Sequence, residues 1–398
     1  MEPIVVVGGG FAAARATETL RTEGYDGDLV VVAGEAVPPY ERPPLSKAYL
    51  RGEVGRDALV PLDERWYRDH DVDLRTSTTA VGLDVAGRTV TLAPGGSLRY
   101  SRLLLATGSR VRRLDVPGGE LPGVLHLRSV RDADRLASAL DHDGPVVVVG
   151  DGWIGMEVAA SARQLGHDVT VVSRSPHPLH GLGPQVGQIF ADLHEKNGVL
   201  LVREATVTSL PGTDRVTGVT LDDGRTLEAR TVVVGIGVTP EVGVVQGAGI
   251  ELRPASDGGG IVVDGTLRTT APDVWAVGDI ASVPSPRYGR PLRTEHWATA
   301  DQTGRHAARS MLGDGTAYDV LPYFFTDQFD LGMESKGVTE GEVVVSGSPA
   351  DCEGVVFWVS DGRVSGAMGL NVWDRMDEAE ELIRADGPVD RAVLESFV

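Results

Sequence analysis

Two glycine clusters in this 398-residue chain have the spacing that cradles a pyrophosphate: Gly8-x-Gly10-x-x-Ala13 and Gly150-x-Gly152-x-x-Gly155. In such a turn the first Gly permits the tight bend and the second lets the backbone approach the anion. The third small residue lets helix and strand pack closely. Phe11 and Ala12 complete the first turn, and Trp153 and Ile154 the second. The helix behind each turn offers N–H groups and the positive end of its dipole. Glu35, 25 residues after Gly10, stands where a carboxylate accepts from ribose hydroxyls. The matching place in the second half holds Ser173-Arg174 instead of an acid. A carboxylate there favours a 2′-hydroxyl and repels a 2′-phosphate, whereas a hydroxyl beside a guanidinium suits the phosphate. His177 and His180 lie near enough to add to that site, with His180 the better candidate. No third ligand stands close in sequence, so no metal is expected. Asp279 ends an apolar run at the carboxyl edge of a sheet, where ligands bind.

The elements that must position these residues are legible as a repeat. Residues 4–7 are an apolar strand, followed by a helical pattern through Ala12, Ala13, Ala16 and Leu20 and a strand over 29–33. About 140 residues later the pattern recurs: strand 146–149, helix 156–165, strand 169–172. The strand running into Ala106-Thr107-Gly108 has its counterpart in the one running into Gly235-Ile236-Gly237. Strands are predicted at 261–263 and 274–277, the latter entering Gly278-Asp279, and a helix at 297–312. From about Tyr318 the pattern changes to short strands at 343–345, 355–359 and 364–367 and an acidic helix at 377–385. The fold class predicted is α/β, with two Rossmann-like dinucleotide-binding domains and a C-terminal α+β domain. The expected bounds are 1–115 with 245–317, then 116–244, then 318–398.

Composition limits the function. With 37 basic and 57 acidic side chains the net charge is −20, which argues against nucleic acid or anionic lipid as partner. The 41% hydrophobic content supports real cores. A single cysteine, Cys352, excludes an internal disulfide, a redox-active pair and an all-Cys cluster or zinc site. No apolar run is long enough to span a membrane, and the start of the chain has no signal-peptide pattern, so a soluble cytoplasmic protein is expected.

The block Pro39-Tyr40-Glu41-Arg42-Pro43-Pro44-Leu45-Ser46-Lys47 resembles one in the ferredoxin and putidaredoxin reductase family, the FAD-containing reductases of oxygenase and cytochrome P450 electron chains. The resemblance runs on through Ala106-Thr107-Gly108, His126-Leu127-Arg128, Trp153 to Glu157, Val234 to Pro240, Val277-Gly278-Asp279, Glu295-His296-Trp297 and Phe325-Thr326-Asp327-Gln328. It implies FAD in the first nucleotide domain and NADPH or NADH in the second. It implies that Lys47 lies beside the flavin, paired with Glu157 next to the nicotinamide, and that Trp297 reaches the ring edge. These three are the expected catalytic residues; a cation there favours reduced, anionic flavin. The other FAD contacts implied are Gly8, Gly10, Phe11, Ala12, Ala13, Glu35, Arg42, Ala80, Ala106, Thr107, Gly108, Arg128, Gly278, Asp279, Glu295 and His296. NAD(P)H falls to Gly150, Gly152, Trp153, Ile154, Gly155, Glu157, Ser173, Arg174, His180 and Gly237. Three departures stand out: Asp151 where Gly is usual, Glu241 where Asn is common, and Phe325 in place of Trp.

The two-nucleotide plan is shared with disulfide reductases, which need a cysteine pair after the flavin motif. Residues 36–60 contain none. The expected reaction is therefore hydride in from NAD(P)H and single electrons out to a ferredoxin. A rubredoxin or small-molecule reductase, or a non-catalytic flavoprotein like apoptosis-inducing factor, is the alternative. A monomer or weak dimer is expected. Within residues 284–310, Arg287, Arg290, Arg293, Arg305 and Arg309 face only Glu295 and Asp301, a local sum of +5 − 2 = +3, which marks the expected ferredoxin dock.

Overall fold

The computed structural model describes residues 2–385 and 387–398. The chain divides into two compact units: one takes the chain up to Arg42, Arg56–Arg110 and Thr239–Val320, the other Pro43–Gly55, Val111–Val238 and Leu321–Val398. Residues 43–55, expected with the first nucleotide domain, thus belong to the second unit, as does the C-terminal region.

The first unit is built on a parallel sheet in the order Val274–Ala276, Arg102–Leu105, Ile4–Val7, Leu29–Val32, Val72–Arg75. Ile4–Val7 is central and buried along its length, as a continuous apolar run must be when both sheet faces are covered. Helix Phe11–Thr22 packs on helix Trp297–Leu312. A Cβ at Gly304 would lie 2.5 Å from the Ala12 carbonyl oxygen, so only glycine allows the two helices this close.

The second unit repeats the plan. Its parallel sheet runs Leu200–Val202, Val169–Val172, Val146–Val149, Thr231–Val234, Val124–Leu125, again with the strand before the glycine turn in the middle. Its C-terminal region is an antiparallel sheet ordered Tyr323–Gln328, Leu331–Gly337, Arg363–Leu370, Glu353–Ser360, Glu342–Ser348, followed by helices Met376–Arg384 and Arg391–Glu395. Sequence periodicity missed the first two of these five strands. Tyr323–Gln328 has no clean apolar alternation, and its hairpin turns at Phe329 with φ of 58°, where glycine is the usual signal. Leu331, Met333, Val356, Trp358, Met368 and Leu370 share one core with Val186 and Phe190 of helix Pro184–Lys196.

Candidate functional site

In the first unit the glycines divide their work as their spacing suggests. A Cβ at Gly8 would lie 2.1 Å from the Ala106 carbonyl oxygen, whereas one at Gly10 meets nothing within 4 Å. Gly10 opens helix Phe11–Thr22 with no side-chain cap and no acid in the first turn. Its first N–H groups are therefore unmet by any capping side chain, and the open space at Gly10 gives an anion access to them. Glu35 receives 2.7 Å from the Tyr40 hydroxyl and 2.9 Å from Arg42. Burial works against the charge on Arg42, but Tyr40, Glu35 and Asp279 outweigh it and raise its pKa. Gly278 takes a φ of +66°, and its N–H donates to Thr303. Ala106 is tied to Val7 and the Thr107 hydroxyl to the Glu241 carbonyl, and Gly108 has a φ of +68°. The departure at Glu241 is accommodated locally, since its carboxylate receives the Gly243 N–H and Arg110. Trp297 stacks on Phe11 at 5.0 Å. Burial pushes the pKa of Glu41 up, against Arg15 and the Trp297 indole. His296 caps the Trp297 helix, Glu295 pairs with Arg293 at 2.5 Å, and Ala80 sits on the side strand Thr79–Asp84.

The second cradle has the same design. A Cβ at Gly150 would approach the Gly235 carbonyl oxygen at 2.4 Å and one at Gly155 the Gly150 carbonyl oxygen at 2.1 Å, while Gly152 faces open space. Helix Trp153–Gln164 starts on Gly152 without a cap or a first-turn acid. Asp151 does not stand idle. Its carboxylate accepts from the Ser173 hydroxyl at 2.5 Å. The place that sequence shows as acid-free therefore carries a carboxylate from across the turn, and the Ser173 hydroxyl is already engaged. Arg174 and His180 are exposed, and Arg174 makes no ion pair among the described residues. Gly237 takes a φ of +95° and accepts from the Arg112 N–H. Arg128 precedes helix Val130–Leu140, also in the second unit.

The chemical centre of the second unit is a buried ion pair. Lys47 Nζ lies 2.7 Å from Glu157 Oε1, and the two residues are 8% and 3% exposed. The short helical turn Pro43–Ser46 delivers Lys47 to helix Trp153–Gln164. Ser161 donates to the Ser46 carbonyl at 2.6 Å, and the Ser46 hydroxyl donates to Glu157 Oε2 at 2.5 Å. From the C-terminal sheet Thr326 donates to Glu157 Oε1 at 2.6 Å. The Phe325 ring lies 5.9 Å from the ammonium. A charge pair this dry is stable only when its charged atoms are met by partners, and three donors, Lys47, Ser46 and Thr326, meet the two oxygens of Glu157. Sequence reasoning found Lys47 and Glu157 but gave no role to Ser46, Thr326 or Gln328.

The arginine segment is less bare than its local sum suggested. Arg305 pairs with Asp301 at 3.0 Å and with Glu18 at 3.5 Å, and Arg309 with Glu23 at 2.8 Å. Glu18 lies on helix Phe11–Thr22 and Glu23 caps its C-terminal end, both far in sequence from residues 284–310. Arg287 and Arg290 are exposed, at and beside the hairpin between Ala281–Ser285 and Arg290–Leu292.

Residues 2–304 match the pyridine nucleotide-disulphide oxidoreductase family, and residues 323–396 match the reductase C-terminal family. The chain belongs to the pyridine nucleotide-disulphide oxidoreductase family. It is 37% identical to the chloroplastic/mitochondrial monodehydroascorbate reductase of Arabidopsis thaliana, over 98% of this chain and 84% of that one. It is 35% identical to the rhodocoxin reductase of Rhodococcus erythropolis, over 92% and 86%. Among solved structures it is similar to the reductase in the covalent putidaredoxin reductase–putidaredoxin complex, with a TM-score of 0.94 and 30% identity over 99% and 96% of the two chains. As a member of this pyridine nucleotide-disulphide oxidoreductase family it is a flavoprotein that binds FAD and uses NAD(P)H. The two uncapped cradles, each with a glycine whose Cβ would fill it, fit those two dinucleotides. The dithiol in the family's name has no counterpart here. Cys352 is the only cysteine, and burial pushes its pKa up, away from thiolate chemistry.

Proposed function

We propose that this family member is an NAD(P)H:ferredoxin reductase serving a cytochrome P450 or another oxygenase. The observation that carries the reading is the combination of two pyrophosphate cradles with a buried Lys–Glu pair in a chain that has no second thiol. Similarity to rhodocoxin reductase and to a reductase caught with putidaredoxin supports it. Bound FAD supplies the chemistry of accepting a hydride and releasing its electrons singly. The chain supplies position and field. Gly8, Gly10, Phe11, Ala12 and Ala13 take the FAD pyrophosphate; Glu35 and Arg42 hold the ribose side, and Asp279 the ribityl chain. Ala80, Ala106, Thr107, Gly108, Arg128, Gly278, Glu295 and His296 line the rest. Gly150, Gly152, Trp153, Ile154, Gly155 and Gly237 receive NAD(P)H. Glu157 fixes the Lys47 ammonium, and Trp297 borders the flavin ring. In this reading 1–115 with 245–317 serve FAD, 116–244 serve NAD(P)H, and 318–398 form the C-terminal domain.

Nicotinamide choice is set by opposed charges. Arg174 attracts a 2′-phosphate, and Asp151, through Ser173, repels it. Asp151→Asn is expected to improve NADPH binding relative to NADH by about 1–2 kcal/mol, the worth of one charge contact. Arg174→Ala is expected to raise the NADPH KM about 5- to 150-fold, equivalent to roughly 1–3 kcal/mol, and leave NADH nearly unchanged. Steady-state kinetics with both nucleotides checks this; equal changes for both remove these residues from the 2′ position.

The ferredoxin docks beside Arg287 and Arg290, which are exposed at and beside the hairpin that precedes helix Trp297–Leu312. Arg290→Glu is expected to lower ferredoxin-dependent turnover several-fold at low salt, the effect fading as ionic strength rises. Direct ferricyanide reduction should stay intact. Parallel loss of both activities indicates structural damage, and loss of neither places the dock elsewhere.

A second reading, a one-electron reductase of a small organic molecule, is favoured by the similarity to monodehydroascorbate reductase.

A further inference from the structure

We propose that His194 is a positioning residue for the Lys47–Glu157 pair, acting through Gln328 and Thr326. The proposal rests on the catalytic reading of that pair given above. His194 lies on helix Pro184–Lys196, with no exposed surface, and its ring meets Phe329 edge-on at 5.0 Å. Nothing in the pyrophosphate cradles or in nicotinamide selection uses it. Yet its Nε2 is 2.8 Å from Gln328 Oε1. Gln328 Nε2 donates to Thr326 Oγ1 at 3.2 Å, and Thr326 Oγ1 donates at 2.6 Å to Glu157 Oε1. That same oxygen holds Lys47 Nζ at 2.7 Å. Thr326, Gln328 and His194 are each at most 1% exposed, so water cannot replace a broken link cheaply.

Donor counting fixes the direction of the chain. Thr326 has one hydroxyl proton and spends it on the carboxylate. Its oxygen must then accept from the Gln328 amide nitrogen. The Gln328 carbonyl oxygen is thereby turned to His194, so His194 carries its proton on Nε2. Nδ1 is buried and has no hydrogen-bond partner among the described residues. Burial pushes the imidazole pKa down to about 4, so the ring is neutral at physiological pH. A neutral donor suits the task. It orients the amide without bringing a second cation to compete with Lys47 for Glu157. Every hydrogen bond in the chain points toward Glu157, and with Ser46 on Oε2 the carboxylate is held from both sides. Losing the His194 end frees the Gln328 amide to flip, which releases Thr326 and loosens the oxygen that places the ammonium.

The test uses the FAD-loaded protein and the variants His194→Leu, His194→Gln and Gln328→Met. Leu and Met remove the donor or acceptor at similar volume; Gln can place an amide N–H near the Nε2 position. Three quantities are read: the stopped-flow rate of flavin reduction, the Kd for NADP+ or NAD+, and the flavin midpoint potential. His194→Leu and Gln328→Met are expected to slow flavin reduction about 3- to 10-fold, to leave nucleotide Kd unchanged and to move the potential to more negative values. His194→Gln is expected to recover most of the rate and potential. A wild-type rate and potential in His194→Leu overturns the proposal. So does a His194→Gln variant as impaired as the Leu variant. If His194→Leu does not fold, Gln328→Met and His194→Gln decide by the same criteria. If Lys47→Ala itself leaves hydride transfer unchanged, the catalytic reading of the pair fails. The relay is then read without the flavin, from the Lys47 ammonium resonance: a shift in His194→Leu that His194→Gln reverses supports it, and no shift overturns it.

Discussion

Replacing Lys47 with Ala is expected to slow NAD(P)H-driven flavin reduction by about 100-fold, equivalent to about 2.7 kcal/mol of lost charge stabilisation. FAD content should remain near one per chain, because the pyrophosphate cradle lies with Gly8, Gly10 and the helix they open. The substitution also strands Glu157, buried at 3% exposure with only Ser46 and Thr326 to satisfy it. Removing one partner of such a pair costs about 3–5 kcal/mol of stability. The two effects separate in the double variant Lys47→Ala with Glu157→Gln. It removes both charges and should regain much of the melting temperature while hydride transfer stays slow. A rate that recovers with stability shows that the pair is structural only.

The second large effect sets two glycines of one turn against each other. Gly152→Val is expected to fold normally, since its Cβ meets nothing, but to weaken NAD(P)H by about 10-fold or more by filling the space a pyrophosphate needs. Gly155→Ala places a Cβ 2.1 Å from the Gly150 carbonyl oxygen. Relief requires the helix to move off the central strand, so its main effect is expected on stability, by about 1–3 kcal/mol or more. Thermal melts and nucleotide titrations on both variants check the division. A Gly152→Val protein that binds nucleotide as well as wild type contradicts the cradle.

The parts legible in the sequence are those whose physics is local. A four-residue apolar run before a glycine turn must be a buried parallel strand, so both cradles and their repeat are visible from residues 4–13 and 146–155. The helix Trp297–Leu312 came out at the same bounds, since its small residues recur at helical spacing. What was hidden depends on partners distant in sequence. Asp151 and Ser173 read separately as a misplaced acid and a phosphate-friendly hydroxyl; folded, they form one unit. The charge count over 284–310 omitted Glu18 and Glu23, because helix Phe11–Thr22 lies almost 300 residues before Arg309 in places but beside it in the fold. His194 carried no signal. A histidine in an amphipathic helix looks like core filling until Gln328 is found at its Nε2. The pair Lys47–Glu157 came from resemblance, and no spacing rule links residues 110 apart.

The most direct measurement is cytochrome c reduction by the FAD-loaded protein with NADPH or NADH, followed while a bacterial oxygenase-type ferredoxin is titrated in. The account predicts little reduction without the ferredoxin and a rate that rises and saturates with its concentration. Turnover that is indifferent to ferredoxin but fast with monodehydroascorbate contradicts it and selects the small-molecule reading.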